Sequence, residues 1–444
     1  MKKILAFITA VMLLLTCLPA ASFADSTPTV RWLNVKQEIA GQMEALAKLY
    51  TEKTGVNVIV ETAVSGTYYT TLNARLDTRN APSVFSLENQ NVLVEFQDYC
   101  LDLTDTVLNS WVPNESMCRK LDGRVYAIAI AMEGFGIITN KSILEKYFTS
   151  PNKKTEYSSL DEMFTFDALK AVVEDMSSMK EELGIEGVFG TTTLQAGQDW
   201  RYATHAMSLP LFWEFGGNDN IDMSAPIPEF SFAYADGYKN LLDLYLNNSV
   251  TEPALVGTKT VDDSMAEFAL GKCAMIQNGD WAWGTIEGTD GCVVTADDVC
   301  FLPLTIGADG ESDMGLVGGG STYIAVNSQL SAADQKATLD FLEWLFSSDE
   351  GKNYVTNELG FVCPLTTFSD ITYSNPLQNS EKDIAAMGKE SYCWACNLIP
   401  DDVWKNEFAS SLLMYAQGQK DWADVVKDAI DIWAVEREIT NAAR

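Results

Sequence analysis

Histidine is almost missing from this chain: His205 is the one example in 444 residues. Imidazole-based zinc sites, Ser-His-Asp triads and Cys-His dyads are therefore poorly provided for, and His205 reads as a structural residue. Positive charge is scarce too. Lys and Arg number 30 against 62 Asp and Glu, a formal net charge of −32. So acidic a surface repels nucleic acid and anionic lipid, and neither is expected as a partner. After the N-terminal segment no second long apolar run appears, and there are no internal repeats, low-complexity linkers or heptads. The run Gly318-Gly319-Gly320 lacks the Gly-Lys-Ser/Thr that would close a phosphate loop. The cysteines form no paired CxxC set of the kind that holds zinc. No catalytic residue, cofactor or metal is expected.

What is present begins with an export signal. Met1-Lys2-Lys3 is followed by an apolar run from Ile4 to Leu15, then Pro19 and Ser22-Phe23-Ala24. Charge, apolar core and small-x-small is the order of a cleaved signal, and the apolar run is short for a membrane span. Cleavage is expected after Ala24. Leu14-Leu15-Thr16-Cys17 is a partial lipobox, so anchoring through Cys17 is the alternative. The remaining chain is long enough for two or three domains. In an exported protein Cys100 with Cys118, Cys292 with Cys300, and Cys393 with Cys396 could form disulfides, with connectivity open.

Periodicity then suggests an α/β fold. Val30–Leu33 reads as a buried strand, and Ile39, Met43, Leu46 and Tyr50 mark a helix that stops at Gly55. Val56–Val60 is the next strand, Tyr69, Leu72 and Leu76 another helix, and Val84-Phe85 a third strand. Such alternation implies a parallel sheet whose ligands sit beyond the carboxyl ends of the strands. Further helices are expected around Phe166–Leu183, Tyr238–Leu246, Ser264–Leu270 and Ala333–Phe346, and almost throughout from Asp401.

Four ordered segments carry a resemblance. They are Trp32-Leu33-Asn34 with Gly55-Val56-Asn57-Val58; Gly123-Arg124-Val125-Tyr126-Ala127 with Glu133 and Asn140-Lys141; Phe268 through Gly271-Lys272-Cys273-Ala274-Met275 to Gly279-Asp280-Trp281; and Gly318-Gly319-Gly320 through Trp344 and Glu350-Gly351 to Gly360 and Pro364. Together they resemble the family-1 extracellular solute-binding proteins, the maltose-binding-protein relatives among ABC importer receptors. Ser83 departs from the family, which usually carries Asp after the proline. The resemblance implies a two-lobe, type II periplasmic-binding-protein-like α/β fold, mostly parallel sheets flanked by helices, with three inter-lobe crossings. Residues 1–24 are then the signal, 25–131 with 319–372 the first lobe, and 132–318 with 373–444 the second. It further implies a monomeric receptor in the periplasm or on the outer face of the membrane. Such a receptor captures a solute, here a sugar or oligosaccharide, and delivers it to ABC permease subunits.

Sugars present apolar C–H faces and a ring of hydroxyls, which aromatic rings and carboxylates suit. Trp281, ending a Gly-x-Trp stretch after an apolar run, is the first candidate platform. Glu133 is the one charge between Val125 and Ile138 and needs a partner there. Trp32, Glu88 and Gln90 lie at or after early strands, Tyr68 and Tyr69 open a helix with one facing the cleft and the other packing, Gly319, Gly320 and Ser321 lie where the chain recrosses, and Trp404 before the C-terminal helix. Trp394 is a second candidate near Trp404, whereas Trp200 and Tyr202 read as packing residues. Three other readings remain: an exported carbohydrate-active enzyme with a hidden carboxylate pair, a receptor for a polyamine, iron complex or phosphate ester, and a surface sensor.

Overall fold

The computed structural model describes residues 28–443 apart from 65, 114, 219, 223, 224 and 372. The expected cleavage site and Cys17 lie outside the described residues. Among the described residues ten strands are formed: β1 (Thr29–Asn34), β2 (Asn57–Thr62), β3 (Val84–Ser86), β4 (Cys118–Leu121), β5 (Arg124–Asn140), β6 (Gly187–Phe189), β7 (Cys273–Gly279), β8 (Val299–Leu302), β9 (Met314–Val326) and β10 (Glu390–Tyr392). The fold is the two-lobe α/β arrangement. Its sheet is mixed: β1 pairs parallel with β2 and β3, while β5 pairs antiparallel with β7, β8 and β9.

The first lobe grows from the alternation read above. Val30 and Trp32 of β1 face one side, where the helix Ala40–Thr54 presents Met43, Leu46, Ala47 and Tyr50. That helix ends at Gly55, whose φ of 78° lets its N–H reach back to the Thr51 carbonyl. Ala332–Ser347 covers the same face, and Phe341 sits at 4.9 Å from the Tyr50 ring. The second lobe packs Phe166–Ser178, Ala235–Asn247, Val261–Ala269 and the C-terminal helices Asp402–Ala416 and Trp422–Ala443 around β7 and the far half of β5. Among the described residues no helix is long and apolar enough to cross a membrane.

Strands β5 and β9 serve both lobes. Ile128 and Ala131 belong to the first core and Phe135, Ile137 and Ile138 to the second; on β9, Ile324 belongs to the first and Val317 to the second. The chain passes once more between Phe368 and Leu377. Register shifts fall at Ala129, Ala131 and Met132, where the ladder bends, and Met132, Glu133 and Gly134 pair with Gly320, Gly319 and Gly318. Paired glycines carry no side chain across the ladder, so the bend is free of crowding there.

None of the eight described cysteines is joined to another. Several thiols use local acceptors instead: Cys100 donates to the Phe96 carbonyl at 3.3 Å and Cys292 to that of Val294 at 3.4 Å.

Candidate functional site

Between the lobes lies a cavity of about 1150 Å³, somewhat larger than the clefts that bury a drug-sized ligand. Lys36 and Glu38, Tyr68 and Tyr69, and Glu88 come from the first lobe, and Asp199–Arg201, His205, Trp281, Trp394 and Lys405 from the second. The lobes meet at the rim, where Asn91 donates to the Pro400 carbonyl at 3.4 Å. A Cβ on Gly66 would stand 3.2 Å from Cα of Gly197 across the same rim.

Aromatic rings make the floor. Phe135, held opposite Gly279 by strand pairing, stacks on His205 with centroids 4.0 Å apart. Around His205 stand Trp200 at 4.7 Å, Trp281 at 5.6 Å and Trp394 at 5.8 Å. His205 belongs to a π-helical turn, Arg201–Ala206, a geometry that recurs at functional sites. Burial, then the charges of Arg201 and Lys36, hold its imidazole neutral. Arg201 stacks over Trp200 at 3.8 Å and donates to Asn278 at 2.9 Å, and burial lowers its pKa to about 9.

Charge enters from three sides. Asn34 closes the end of β1 by accepting the Lys36 N–H at 3.1 Å and donating to the Thr62 hydroxyl at 3.1 Å. Lys36 is thereby delivered to the hinge, where it pairs with Glu133, lies 3.6 Å from Glu38 and hangs 5.7 Å from the Trp281 ring. Burial opposes its charge, yet Glu133 and Glu38 outweigh burial and raise its pKa. Behind the pair, Asp280 and Glu381 are both pushed up, first by burial and then by neighbouring carboxylates. On the opposite wall Glu88 is raised by burial, partly offset by Lys405 and Lys36, and burial also raises Asp199. Among the described residues no three His, Cys, Asp or Glu side chains are grouped to hold a metal ion.

Of the residues singled out from sequence, Tyr68, Glu88, Glu133, Trp281, Gly320 and Ser321 line the cavity. Tyr68 spends its hydroxyl on structure, donating to Leu33 at 3.1 Å and accepting from the Ser86 N–H at 2.7 Å; Tyr69 reaches Glu88 instead, at 3.4 Å. Four fall elsewhere. Trp32 is 4% exposed and packs edge-on against Phe341 at 6.2 Å. It sits two residues before the strand ends, on the face the helices cover, so the residue reaching the cleft is Lys36. Trp404 is fully buried: its indole donates to the Ala429 carbonyl at 2.8 Å, and spacing of four residues stacks it on Phe408. Its neighbours Asp401 and Lys405 take the cavity side. Gln90 turns its amide to the Lys120 carbonyl at 2.7 Å. Gly319, at φ 146°, lies beneath Trp394, where a Cβ would come within 3.2 Å of the indole.

Sequence reasoning passed over Lys36 and Asp199 as cavity residues, named Tyr68 of the pair Tyr68 and Tyr69, read Trp200 and His205 as packing, and ranked Trp394 second. Position after β1 was the available signal for Lys36. Nothing local marked the π-helical turn.

The Gly-x-Trp stretch has a steric reason. A Cβ on Gly279 would fall 2.0 Å from Cζ3 of Trp281, closer than any two non-bonded carbons can sit, so only glycine lets the ring fold back there. Gly279→Ala is expected to displace the ring and weaken ligand binding about tenfold, as misplaced contacts do. Calorimetric titration of the variant checks this, and unchanged affinity would dissociate ring position from binding.

The family of bacterial extracellular solute-binding proteins matches residues 45–386. Solved structures share the fold. One is a chitin oligosaccharide binding protein (TM-score 0.71, 16% identity, 93% of this chain and 99% of that one). Another is maltose-bound MalE3 of T. maritima (TM-score 0.66, 17% identity, 92% and 99%). A third is a family 1 extracellular solute-binding protein from Bifidobacterium longum subsp. infantis (TM-score 0.62, 16% identity, 92% and 100%). No curated protein sequence matches the chain. With that family model spanning most of its length, the chain belongs to the bacterial extracellular solute-binding proteins.

Proposed function

We propose that this protein captures a sugar or oligosaccharide between its lobes, outside the cytoplasm, and delivers it unaltered to the permease subunits of an ABC importer. The observation that carries this reading is the cavity floor: Trp200, Trp281 and Trp394 around His205, with Glu88, Glu133 and Asp199 on the walls. Flat rings take the C–H faces of pyranoses, and carboxylates accept their hydroxyls. The volume suits several sugar rings. Structural relatives with the same fold were solved with raffinose, maltose and stachyose.

Residues 25–131 with 319–372 and residues 132–318 with 373–444 act as the two moving bodies, in a monomer. They turn about the bent ladder of β5 and β9. A ligand shifts the balance toward closure only through contacts it makes to both bodies at once. Glu88 and Tyr69 from one side and the tryptophans from the other supply them. Attachment is by release after Ala24 or anchoring through Cys17.

A thermal-shift screen of residues 25–444 against mono- and oligosaccharides, polyols and polyamines tests the reading. A sugar present at about a hundred times its dissociation constant should add about 2.7 kcal/mol of stability, and should be recovered chemically unchanged. Cleavage of the sugar would make the protein an enzyme. Stabilisation by no carbohydrate would remove the sugar assignment.

A further inference from the structure

At the root of the cleft one side chain is held from both lobes. Lys36 follows β1 of the first lobe, and its ammonium pairs with Glu133. Glu133 stands on β5 just past the register shifts, between Ala131 of the first core and Phe135 of the second. The two side chains are nearly dry, 13% and 10% exposed. Rings flank the ammonium on both sides. Phe361 of the first core lies 5.9 Å away and Trp281, packed on the second core, 5.7 Å away, each within reach of a cation–π contact. Glu38 of the first lobe approaches at 3.6 Å.

An ammonium that has given up water is stabilised only by the groups around it. Here those groups belong to different bodies: Glu38 and Phe361 to one, Trp281 to the other, and Glu133 to the strand that joins them. Burial works against the charge of Lys36, and Glu133 and Glu38 more than restore it. A rotation about the bend of β5 and β9 parts Trp281 from Phe361 and lets water reach the ion pair. At the rim, by contrast, Asn91 reaches the Pro400 carbonyl at a long 3.4 Å, and Gly66 faces Gly197 with no side chain on either.

We infer that Lys36 is a positioning residue that ties the two lobes: through Glu133 and Trp281 it holds the ligand-free cleft toward its closed form, and so raises the affinity for every solute alike. This rests on the movement of two bodies described above and not on which solute is carried. Whatever a tie adds to the closed form before a ligand arrives is free energy that the ligand need not supply.

The test needs no ligand. Small-angle scattering gives the radius of gyration, and hydroxyl-radical footprinting gives the exposure of Tyr69 and Trp200 on the cavity walls. Both are applied to the wild-type chain, Lys36→Met, Glu133→Gln and the double variant. In Lys36→Met a stranded Glu133 adds to the lost tie. Its open-to-closed ratio is expected to rise about tenfold or more, with a larger radius and heavier oxidation of both rings. Glu133→Gln leaves the ammonium an amide oxygen and Glu38, so it should open less. The double variant strands no charge and should still be more open than wild type. A double variant that matches wild type would mean that the pair breaks even in the closed form, and overturns the inference. So does a Lys36→Met chain that melts lower at unchanged radius and oxidation, the mark of packing alone. If Lys36→Met does not fold, Glu133→Gln and the double variant carry the test. Asn91→Trp, which wedges the rim, separates the two readings. If it opens the cleft and the Lys36 variants do not, the tie falls and the moving lobes stand; if neither opens it, both fall.

Discussion

Replacing Trp281 with alanine is expected to weaken sugar binding by about thirty- to a hundredfold, the loss of about 2–3 kcal/mol typical of a central aromatic anchor. The ring is the point where the site's three supports meet. Strand β7 ends at Gly279 and leaves room for the indole to fold back. His205 and Trp200 stand at 5.6 Å and 6.2 Å on its lobe, and Lys36 of the other lobe approaches at 5.7 Å. Its removal takes away stacking area and one of the contacts through which a closed form is favoured. Because the ring is only half-buried, the ligand-free chain should lose no more than about 2 kcal/mol. Tryptophan-to-phenylalanine exchange at the same position should recover part of the affinity, since the face remains and only its area shrinks. Titration calorimetry and the melting temperature of the ligand-free variant separate the two effects. An alanine variant that binds within threefold of wild type would show that the floor is not the platform, whatever its position.

Much of the fold could be read in advance because it rests on short-range regularities. The spacing of Met43, Leu46 and Tyr50 ending at Gly55 gave a helix that forms at Ala40–Thr54. The apolar run at Cys273–Ile276 became β7, and the 333–346 pattern a helix at Ala332–Ser347. The cavity lining was legible where backbone geometry dictates it, as at Gly279 and Trp281, or where a lone charge sits in an apolar run, as at Glu133. It was illegible where two faces of one element compete. Trp32 and Trp404 are large aromatics at strand and helix ends, the right places for platforms, yet alternation and four-residue spacing point both into cores. Their neighbours Lys36, Asp401 and Lys405 are ordinary charged residues in sequence and become cavity walls only through long-range pairing of the lobes. The turn at Arg201–Ala206 follows no simple apolar period, so Trp200 and His205 carried no signal of the floor they build.

The hinge makes a last prediction, on pH. Glu381 lies against Gly134 at the bend of β5, so close that a Cβ there would meet its Oε1 at 2.5 Å. Burial, then the charge of Glu133, pushes it from an ordinary 4.5 up to about 8. Asp280 beside it is raised by burial and by Glu381 and Glu133. A carboxyl raised in this way keeps its proton in the folded chain after the unfolded chain has lost it. The folded state then binds more protons, and stability falls as pH rises through the window between the two values. The net charge of −32 tilts the same way through general repulsion, so the slope of the wild type alone proves little. Glu381→Gln isolates the hinge, because glutamine keeps the shape of the protonated acid and has no proton to lose. That variant is expected to match wild type near about pH 4 and to exceed it by up to about 4 kcal/mol near about pH 8, a few degrees in melting temperature. Equal slopes for the two chains would mean that Glu381 is already ionised in the fold. The difference bears on function because Glu133, the carboxylate that raises Glu381, is also the one that holds Lys36 of the first lobe to the hinge.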